Sequence, residues 1–260
     1  MNRINVFIMS FLSVALLGGC IKANKNEDIT AKPDKVENYR CVGELVYDNT
    51  LVYIKEDDKY VPFIVLEFWD DSNCLLLRKY LLEEDQKYNV VGDYASYYGD
   101  SFIDKYLNEE YACLFSKEMQ DIILMSRIEI TAKASIGSNE NKTEYIERKF
   151  FLLSANEVNA FLPYVTLKEG STISYFKEIL NRVATYENGN ANNWYLRTPL
   201  VSSPNMFCAI GADGSIGSTG IKGFEGEYAG PVRPAFCIPA TTKIVKGGEI
   251  VEGDDVYYIP

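Results

Sequence analysis

The first hydrophobic feature of the chain is a nearly unbroken apolar run close to its N-terminus. Residues 6–17 are apolar except for Ser10 and Ser13, and Arg3 supplies a positive charge before them. A run of this length is too short to cross a bilayer as a helix and is typical of the core of an export signal. It ends in Gly18-Gly19-Cys20, which is the pattern of a lipoprotein cleavage site.

The cysteine at the end of this run predicts a lipid anchor. We expect residues 1–20 to be a lipoprotein signal peptide, with Cys20 lipidated and left as the first residue after cleavage. Two or three acyl chains hold a protein stably on a membrane, where one chain does not. The protein is therefore predicted to be extracytoplasmic and anchored by lipid to the cell membrane, with the lipid bilayer as a partner. An ordinary secretory signal that happens to contain a cysteine is the alternative.

The next segment lacks the apolar residues that a folded core needs. Residues 21–38 contain almost no large apolar side chain and mix lysines with acidic residues. Such a segment cannot bury enough surface to offset the entropy lost on ordering, so it predicts a flexible tether. Apolar positions then recur throughout the rest of the chain, and residues 39–260 predict a single globular domain.

Short apolar runs predict strands at the start of this domain. Residues 43–54 predict a hairpin with its turn at Asp48-Asn49-Thr50. Residues 62–69 and 74–82 predict a second pair of strands, joined by Asp70-Asp71-Ser72-Asn73. The apolar runs in this second pair are unbroken, which indicates strands that are covered on both faces.

Serine caps predict helices in the middle of the domain. Ser101 and Ser116 each precede a short segment with apolar residues at helical spacing. Ser154 and Glu157 have the spacing of a capping box, which predicts a further short helix. Residues 171–186 have apolar side chains along one face of a helical projection, so an amphipathic helix is predicted there.

Strand patterns return in the last third of the chain. Strands are predicted at residues 194–199, 206–210 and 232–238, and two short edge strands at residues 244–251 and 256–259. The predicted fold class is therefore α+β, with helices between two strand-rich ends.

Charge and composition narrow the classes of function. The chain carries a net charge of −11 and no basic stripe, which excludes nucleic acid as a partner. It contains no histidine, and this removes Ser-His and Cys-His nucleophiles as well as histidine-ligated metals. Acidic pairs such as Asp70-Asp71 and Glu83-Glu84 are adjacent in sequence, so they do not face each other as the two carboxylates of a glycosidase do.

The cysteines leave one pairing question open. Besides Cys20 there are five, and none has the C-x-x-C spacing of a structural zinc site. Cys74 and Cys113 lie in apolar runs and are predicted to be buried. Cys208 and Cys237 lie in short apolar strands, where they either form a disulfide or remain two buried free thiols.

Five short motifs occur in a fixed order along the domain. They are Leu75-Leu76-Leu77, Ser101-Phe102-Ile103, Phe151-Leu152-Leu153-Ser154, Trp194-Tyr195-Leu196-Arg197-Thr198-Pro199 and Val232-Arg233-Pro234-Ala235. Over residues 60–240 this series resembles the bacterial extracytoplasmic domain of unknown function 6273, which has no established activity. The sequence departs from that family at Tyr195, where the family often has a second tryptophan.

The resemblance also implies a fold. It indicates C-type-lectin-like mixed and antiparallel sheets with several short helices. A more distant similarity is to the sulfatase-modifying, formylglycine-generating family, whose oxidases use a close pair of cysteines that binds copper. Cys208 and Cys237 depart from the cysteine spacing of that family.

The family-motif residues allow two interpretations. They are Trp194, Arg197, Pro199, Arg233 and Pro234. We expect a structural role, in which each guanidinium bridges backbone carbonyls and a carboxylate. The alternative places the two arginines at a binding site for an anionic ligand.

The resemblance, the predicted anchor and the absent histidine favour a non-catalytic binding or interaction module. We expect a glycan or an envelope protein as its ligand, and no cofactor, metal or catalytic residue. Tyr97-Tyr98 is a candidate for stacking on sugar rings. Residues 187–194 contain the residue types of a calcium site but in the wrong order. One alternative is an enzyme distantly related to the formylglycine-generating oxidases, with copper as its metal. Another is a structural lipoprotein that has no ligand.

Overall fold

A computed structural model describes residues 39–46, 50–90, 92–216, 229–251 and 254–260. The predicted signal peptide and tether lie outside these residues, as does most of the turn predicted at Asp48-Asn49-Thr50. The architecture is mixed and mostly sheet, with a few short helices. No helix within the described ranges is long and apolar enough to span a membrane.

Strands account for most of the regular structure. They are β1 (Tyr39–Cys41), β2 (Leu51–Glu56), β3 (Lys59–Phe68), β4 (Asn73–Arg78), β5 (Gln86–Lys87), β6 (Ser126–Thr131), β7 (Thr143–Arg148), β8 (Phe150–Phe151), β9 (Ala184–Thr185), β10 (Ala191–Asn192), β11 (Trp194–Pro199), β12 (Phe207–Ile210), β13 (Ala229–Gly230), β14 (Ala235–Pro239), β15 (Lys243–Val251) and β16 (Asp254–Tyr258). The α-helices are α1 (Phe102–Glu109) and α2 (Lys117–Ile122).

The largest sheet within the described residues has eight strands, in the order β1-β15-β16-β2-β3-β4-β14-β8. All of its pairs are antiparallel except β16 with β2, where Tyr257 lies opposite Val52. The prediction of edge strands at 244–251 and 256–259 is therefore wrong. Both strands pair on two sides, because the end of the described chain inserts between β1 and β2. The other strands of the described residues pair in four two-stranded sheets: β5 with β13, β6 with β7, β9 with β10, and β11 with β12.

The strand pair with the unbroken apolar runs is confirmed. β3 and β4 are antiparallel neighbours, with Ile64 opposite Leu77 and Val65 opposite Leu76. The hairpin predicted over 43–54 is wrong in its first half. Residues Val42–Leu45 form a 3-10 turn, and the Val42 and Gly43 amides donate to carbonyls of the turn that follows β14 rather than to β2.

Both serine-capped helices are confirmed. The Asp104 amide donates to Ser101 Oγ (3.2 Å) at the start of α1, and the Met119 amide donates to Ser116 Oγ (3.2 Å) at the start of α2. These bonds satisfy amides that the first turn of a helix otherwise leaves without a partner.

The amphipathic helix predicted over 171–186 is wrong. Two 3-10 turns, Ser174–Lys177 and Ile179–Arg182, lie there instead. The apolar residues that helical spacing places on one face enter different environments, since Phe176 is buried and Leu180 is 80% exposed. The segment is fixed by contacts that are distant in sequence, such as the Ser174 amide donating to Glu67 Oε2 (3.1 Å).

The capping box at Ser154 forms its two hydrogen bonds but opens only a turn. The Ser154 amide donates to Glu157 Oε2 (2.8 Å), and the Glu157 amide donates to Ser154 Oγ (3.0 Å). The helix predicted there is absent because Asn159 already adopts a left-handed backbone conformation (φ 53°).

Candidate functional site

Arg197, the family-motif arginine of β11, is buried and hydrogen-bonded within the protein interior. Arg197 makes a bidentate ion pair with Glu157, with Nη1–Oε2 and Nη2–Oε1 distances of 2.7 and 2.6 Å. It also donates to the Leu152 carbonyl (2.7 Å) and, through Nε, to the Glu129 carbonyl (3.0 Å). Burial alone would lower the pKa of Arg197, but the charge of Glu157 and the hydrogen bonds to it raise that pKa above its usual value. No ligand can reach this guanidinium, because Arg197 is fully buried.

A second buried carboxylate extends this network. Glu169 Oε1 accepts hydrogen bonds from the Thr131 amide (2.6 Å) and hydroxyl (2.7 Å), and its Oε2 accepts from the Thr198 hydroxyl (2.5 Å). Burial raises the pKa of Glu169, although the charge of Arg197 and these hydrogen bonds oppose that effect. The Ser154 hydroxyl donates to the Glu169 carbonyl (2.6 Å), which joins the capping box to the same network.

The second family-motif arginine has a different environment. Arg233 is buried, its Nε donates to the Arg78 carbonyl (2.9 Å), and its Nη1 has no hydrogen-bond partner. Its guanidinium carbon lies 5.4 Å from the centre of the Trp194 ring. Burial lowers the pKa of Arg233 to about 10. Within the described ranges, Arg233 makes no ion pair. The bridge to a carboxylate that we expected for both arginines is therefore observed for Arg197 and not for Arg233.

The remaining motif residues support the strands. Trp194 is buried, and its Nε1 donates to the Arg182 carbonyl (2.8 Å). Pro199 lies opposite Phe207 where β11 pairs with β12. The Pro234 carbonyl accepts from the Arg78 amide (3.0 Å).

The five cysteines within the described ranges are free thiols. Cys208 and Cys237 are buried and not bonded to each other, so the disulfide does not form in this structure. Burial raises the pKa of Cys208 strongly and that of Cys237 to about 12, which leaves both thiols protonated at neutral pH. Cys74 is buried as expected, whereas Cys113 is exposed. The 3-10 turn Tyr111–Leu114 buries Tyr111 and leaves Cys113 at the surface.

Neither sequence candidate for ligand contact has the expected geometry. Tyr98 is buried, and its hydroxyl oxygen accepts from the Leu152 amide (3.2 Å). Tyr97 is half-buried and donates to Glu144 Oε1 (2.7 Å). Within 187–194, Glu187 is paired with Lys59. No group of three or more metal-ligating acidic or cysteine side chains occurs in the described part of the chain.

The surface carries two open clefts that sequence reasoning missed. The first has a volume of about 390 Å³ and is lined by Ser138, Asn139, Asn141, Tyr164, Thr166, Leu167, Val201 and Ser202. The second has a volume of about 410 Å³ and is lined by Gly92, Asp93, Tyr94, Ile136, Gly137, Pro204 and Asn205. Both volumes fall within the range of small-molecule sites, about 300–1,000 Å³. We call them the Tyr164 cleft and the Tyr94 cleft.

Main-chain hydrogen bonds hold the walls of the two clefts together. The Gly137 amide donates to the Val201 carbonyl (2.7 Å), and the Val201 amide donates to the Val165 carbonyl (2.9 Å). The Ser96 amide donates to the Pro204 carbonyl (2.7 Å). The segment that contains Tyr164 leads along the chain to Glu169, a member of the buried network.

Two tyrosines present their rings to solvent at these clefts. Tyr164 is 100% exposed, and its backbone is left-handed (φ 67°), which is costly for a bulky side chain. Tyr94 is 45% exposed, with Lys133 Nζ 5.2 Å from its ring centre. The exposure of a single tyrosine produces no periodic pattern in a sequence, so the sequence alone does not identify Tyr164 or Tyr94 as a cleft residue.

A comparison with protein-family models shows which family this chain belongs to. The family model described as Domain of unknown function (DUF6273) matches residues 71–240, which is more than half of the 260-residue chain. The chain belongs to this family. The matched region of the DUF6273 domain includes Trp194, Arg197 and Arg233 as well as both clefts. The family predicted from the five motifs is thereby confirmed. Neither a curated protein nor a solved structure matches the chain.

Proposed function

We propose that this protein is a lipid-anchored, extracytoplasmic binding module of the bacterial cell envelope and that it has no catalytic activity. The observation that carries the proposal is the pair of open clefts, whose walls are tied together by main-chain hydrogen bonds. A rigid frame with exposed polar and aromatic groups suits recognition, because little order has to be created on binding.

The chemistry of the cleft walls supports binding rather than catalysis. Among the described residues that line the two clefts, Asp93 is the one acidic residue, and no lysine or arginine is present. A single carboxylate cannot supply the acid and the base that glycoside hydrolysis needs. The serine hydroxyls of the walls have no histidine to activate them, since the chain contains none.

The thiols do not favour the alternative of an oxidase related to the formylglycine-generating family. Such chemistry needs reactive thiolates, and burial raises the pKa of both Cys208 and Cys237. Both side chains are covered by the core, so a substrate has no access to them.

A C-type-lectin-like fold is part of the proposal. It is supported by the way in which strands from the two ends of the described chain meet in one sheet. β1 pairs with β15, and β2 pairs with β16. This arrangement brings the end that follows the proposed tether close to the last strands of the domain.

The proposed anchor is tested by substitution of its cysteine. We expect Cys20→Ser to abolish the incorporation of labelled fatty acid into the protein, because the thiol that accepts the lipid is lost. Cys41→Ser is the matched control, since Cys41 is the next cysteine along the chain and should leave labelling unchanged. Labelling that persists in Cys20→Ser would refute the anchor.

The proposed binding function is tested with the full-length protein in detergent and fractionated envelope material from the source cells. We expect a defined envelope component to be retained by the unaltered protein. The double substitution Tyr94→Ala and Tyr164→Ala should reduce retention, because both cleft walls lose their exposed ring. Tyr145→Ala is the control, since Tyr145 is 55% exposed and lines neither cleft. Retention that is equal in all three proteins would place binding elsewhere.

A further inference from the structure

We infer that the Tyr164 and Tyr94 clefts form one extended site for a neutral oligosaccharide. Each exposed tyrosine provides a platform for a sugar ring. This inference rests on the proposed binding function and names the class of ligand that the module recognises.

The two clefts are neighbours along the chain, because the same two segments contribute lining residues to both. Residues 136–141 contribute Gly137 to one cleft and Ser138 to the other, and residues 201–205 likewise contribute to both. A side chain at Gly137 would approach Pro204 Cγ to 3.3 Å, and the backbone there is left-handed (φ 72°). Glycine therefore allows the two segments to approach closely between the clefts, where the Gly137 amide donates to the Val201 carbonyl (2.7 Å).

The polar side chains that line the Tyr164 cleft can both donate and accept hydrogen bonds, as binding to sugar hydroxyls requires. The side chains of Asn139, Asn141 and Ser202 make no hydrogen bond within the described ranges, although each lines the cleft. Amide and hydroxyl groups both donate and accept, as do the hydroxyls of a sugar. In the Tyr94 cleft the Asn205 amide group is oriented by its Oδ1, which accepts from the Gly92 amide (3.3 Å).

Charge and backbone geometry argue against two other ligand classes. An anionic ligand is disfavoured because no described residue that lines either cleft is a lysine or an arginine, Lys133 beside the Tyr94 ring is a single cation, and the whole chain carries a charge of −11. A peptide that binds by strand addition would need a free strand edge. The lining segments lie outside every strand of the described chain, so main-chain pairing of that kind has no template.

The aromatic rings complete the match. Tyr164 presents its whole ring to solvent at one cleft, and Tyr94 does so in part at the other. Lys133 Nζ lies 5.2 Å from the Tyr94 ring centre and 5.6 Å from that of Tyr97, which restrains the first ring. A ring with an apolar face and a polar tip suits the faces of a pyranose, which are lined by C–H groups and rimmed by hydroxyls.

The test is a glycan array probed with the full-length protein in detergent. It contains neutral monosaccharides, neutral and N-acetylated oligosaccharides, and acidic oligosaccharides. We expect binding to neutral oligosaccharides that is tighter than binding to the corresponding monosaccharides. Tyr164→Ala should weaken binding about tenfold, the equivalent of one aromatic contact, whereas Tyr164→Phe should retain it. Tyr145→Ala should have no effect.

The outcomes separate the ligand class from the binding function. Failure to bind any neutral oligosaccharide, or binding that Tyr164→Ala leaves unchanged, would overturn the inference. Retention of an envelope protein that depends on Tyr164 would also overturn it, but would uphold the binding module. If neither oligosaccharide nor envelope component is retained, both proposals fail.

Discussion

Polar side chains are hydrogen-bonded within the protein in the buried network around Arg197, but not at the surface around Tyr164. In the network, Arg197 and Glu157 form an ion pair, and Glu169 accepts hydrogen bonds from hydroxyl and amide donors. At the Tyr164 cleft, the side chains of Asn139, Asn141 and Ser202 have no hydrogen-bond partner in the described chain. The comparison separates two roles for polar residues: the first set fixes the frame, and the second remains available to a ligand.

The largest expected effect is on stability and comes from the network. Arg197→Met should lower the free energy of unfolding by about 3–5 kcal/mol, because it leaves the Glu157 carboxylate buried without its cation. Urea denaturation of the full-length protein measures this change. The double substitution Arg197→Met and Glu157→Leu should recover part of the loss, because no uncompensated charge remains. A loss below about 1 kcal/mol in the single variant would mean that the ion pair does not hold the frame.

The second motif arginine provides a contrast within the interior. Arg233→Met should lower the free energy of unfolding by at least about 2 kcal/mol less than Arg197→Met does. The reason is that Arg233 has no ion pair in the described chain, so its removal leaves no buried carboxylate without a partner. The same urea experiment compares the two variants directly. Equal losses would contradict the assignment of different roles to these arginines.

A pH series tests the state of the buried carboxylate. Since burial raises the pKa of Glu169 above its ordinary value of 4.5, the folded protein holds this proton more tightly than the unfolded chain. The contribution of Glu169 to stability is therefore fully present below pH 4.5 and is lost as pH rises through the raised value. We expect the stability of the unaltered protein relative to Glu169→Gln to fall with rising pH in that window. A relative stability that rises with pH there would reverse the sign of the shift.

The smallest expected effect is at the surface. Tyr164→Gly should raise the free energy of unfolding by up to about 1 kcal/mol, because glycine adopts a left-handed backbone without strain. Glycine also loses more chain entropy on folding, which limits the gain. Thermal unfolding of Tyr164→Gly beside Tyr164→Ala, which keeps the strain, isolates this effect. A destabilised glycine variant would show that the tyrosine ring contributes to stability.

Much of the fold follows from short-range signals in the sequence. The pair β3 and β4 is specified by two apolar runs around a turn, and α1 and α2 by a serine cap before each. The errors occur where distant segments decide the structure. Residues 171–186 have helical spacing, but a contact with Glu67 and burial of Phe176 without Leu180 impose 3-10 turns.

The candidate site was less accessible from the sequence. Arg197 and Glu157 could be identified through a motif and a capping box, but their pairing brings together residues that are 40 positions apart. Glu169 has no local pattern, since its partners Thr131 and Thr198 come from two separate strands. Tyr164 and Tyr94 resemble any other of the 19 tyrosines until the fold exposes them.

Hydrogen exchange of the full-length protein, with and without a saturating neutral oligosaccharide from the array, tests the central claim most directly. We predict that the ligand slows amide exchange in residues 92–96, 136–142, 162–167 and 200–205, the segments that contain the residues lining the clefts. Amides around Arg197 should exchange slowly in both states. Protection confined to surfaces outside these four segments would contradict the assignment of the clefts as the binding site.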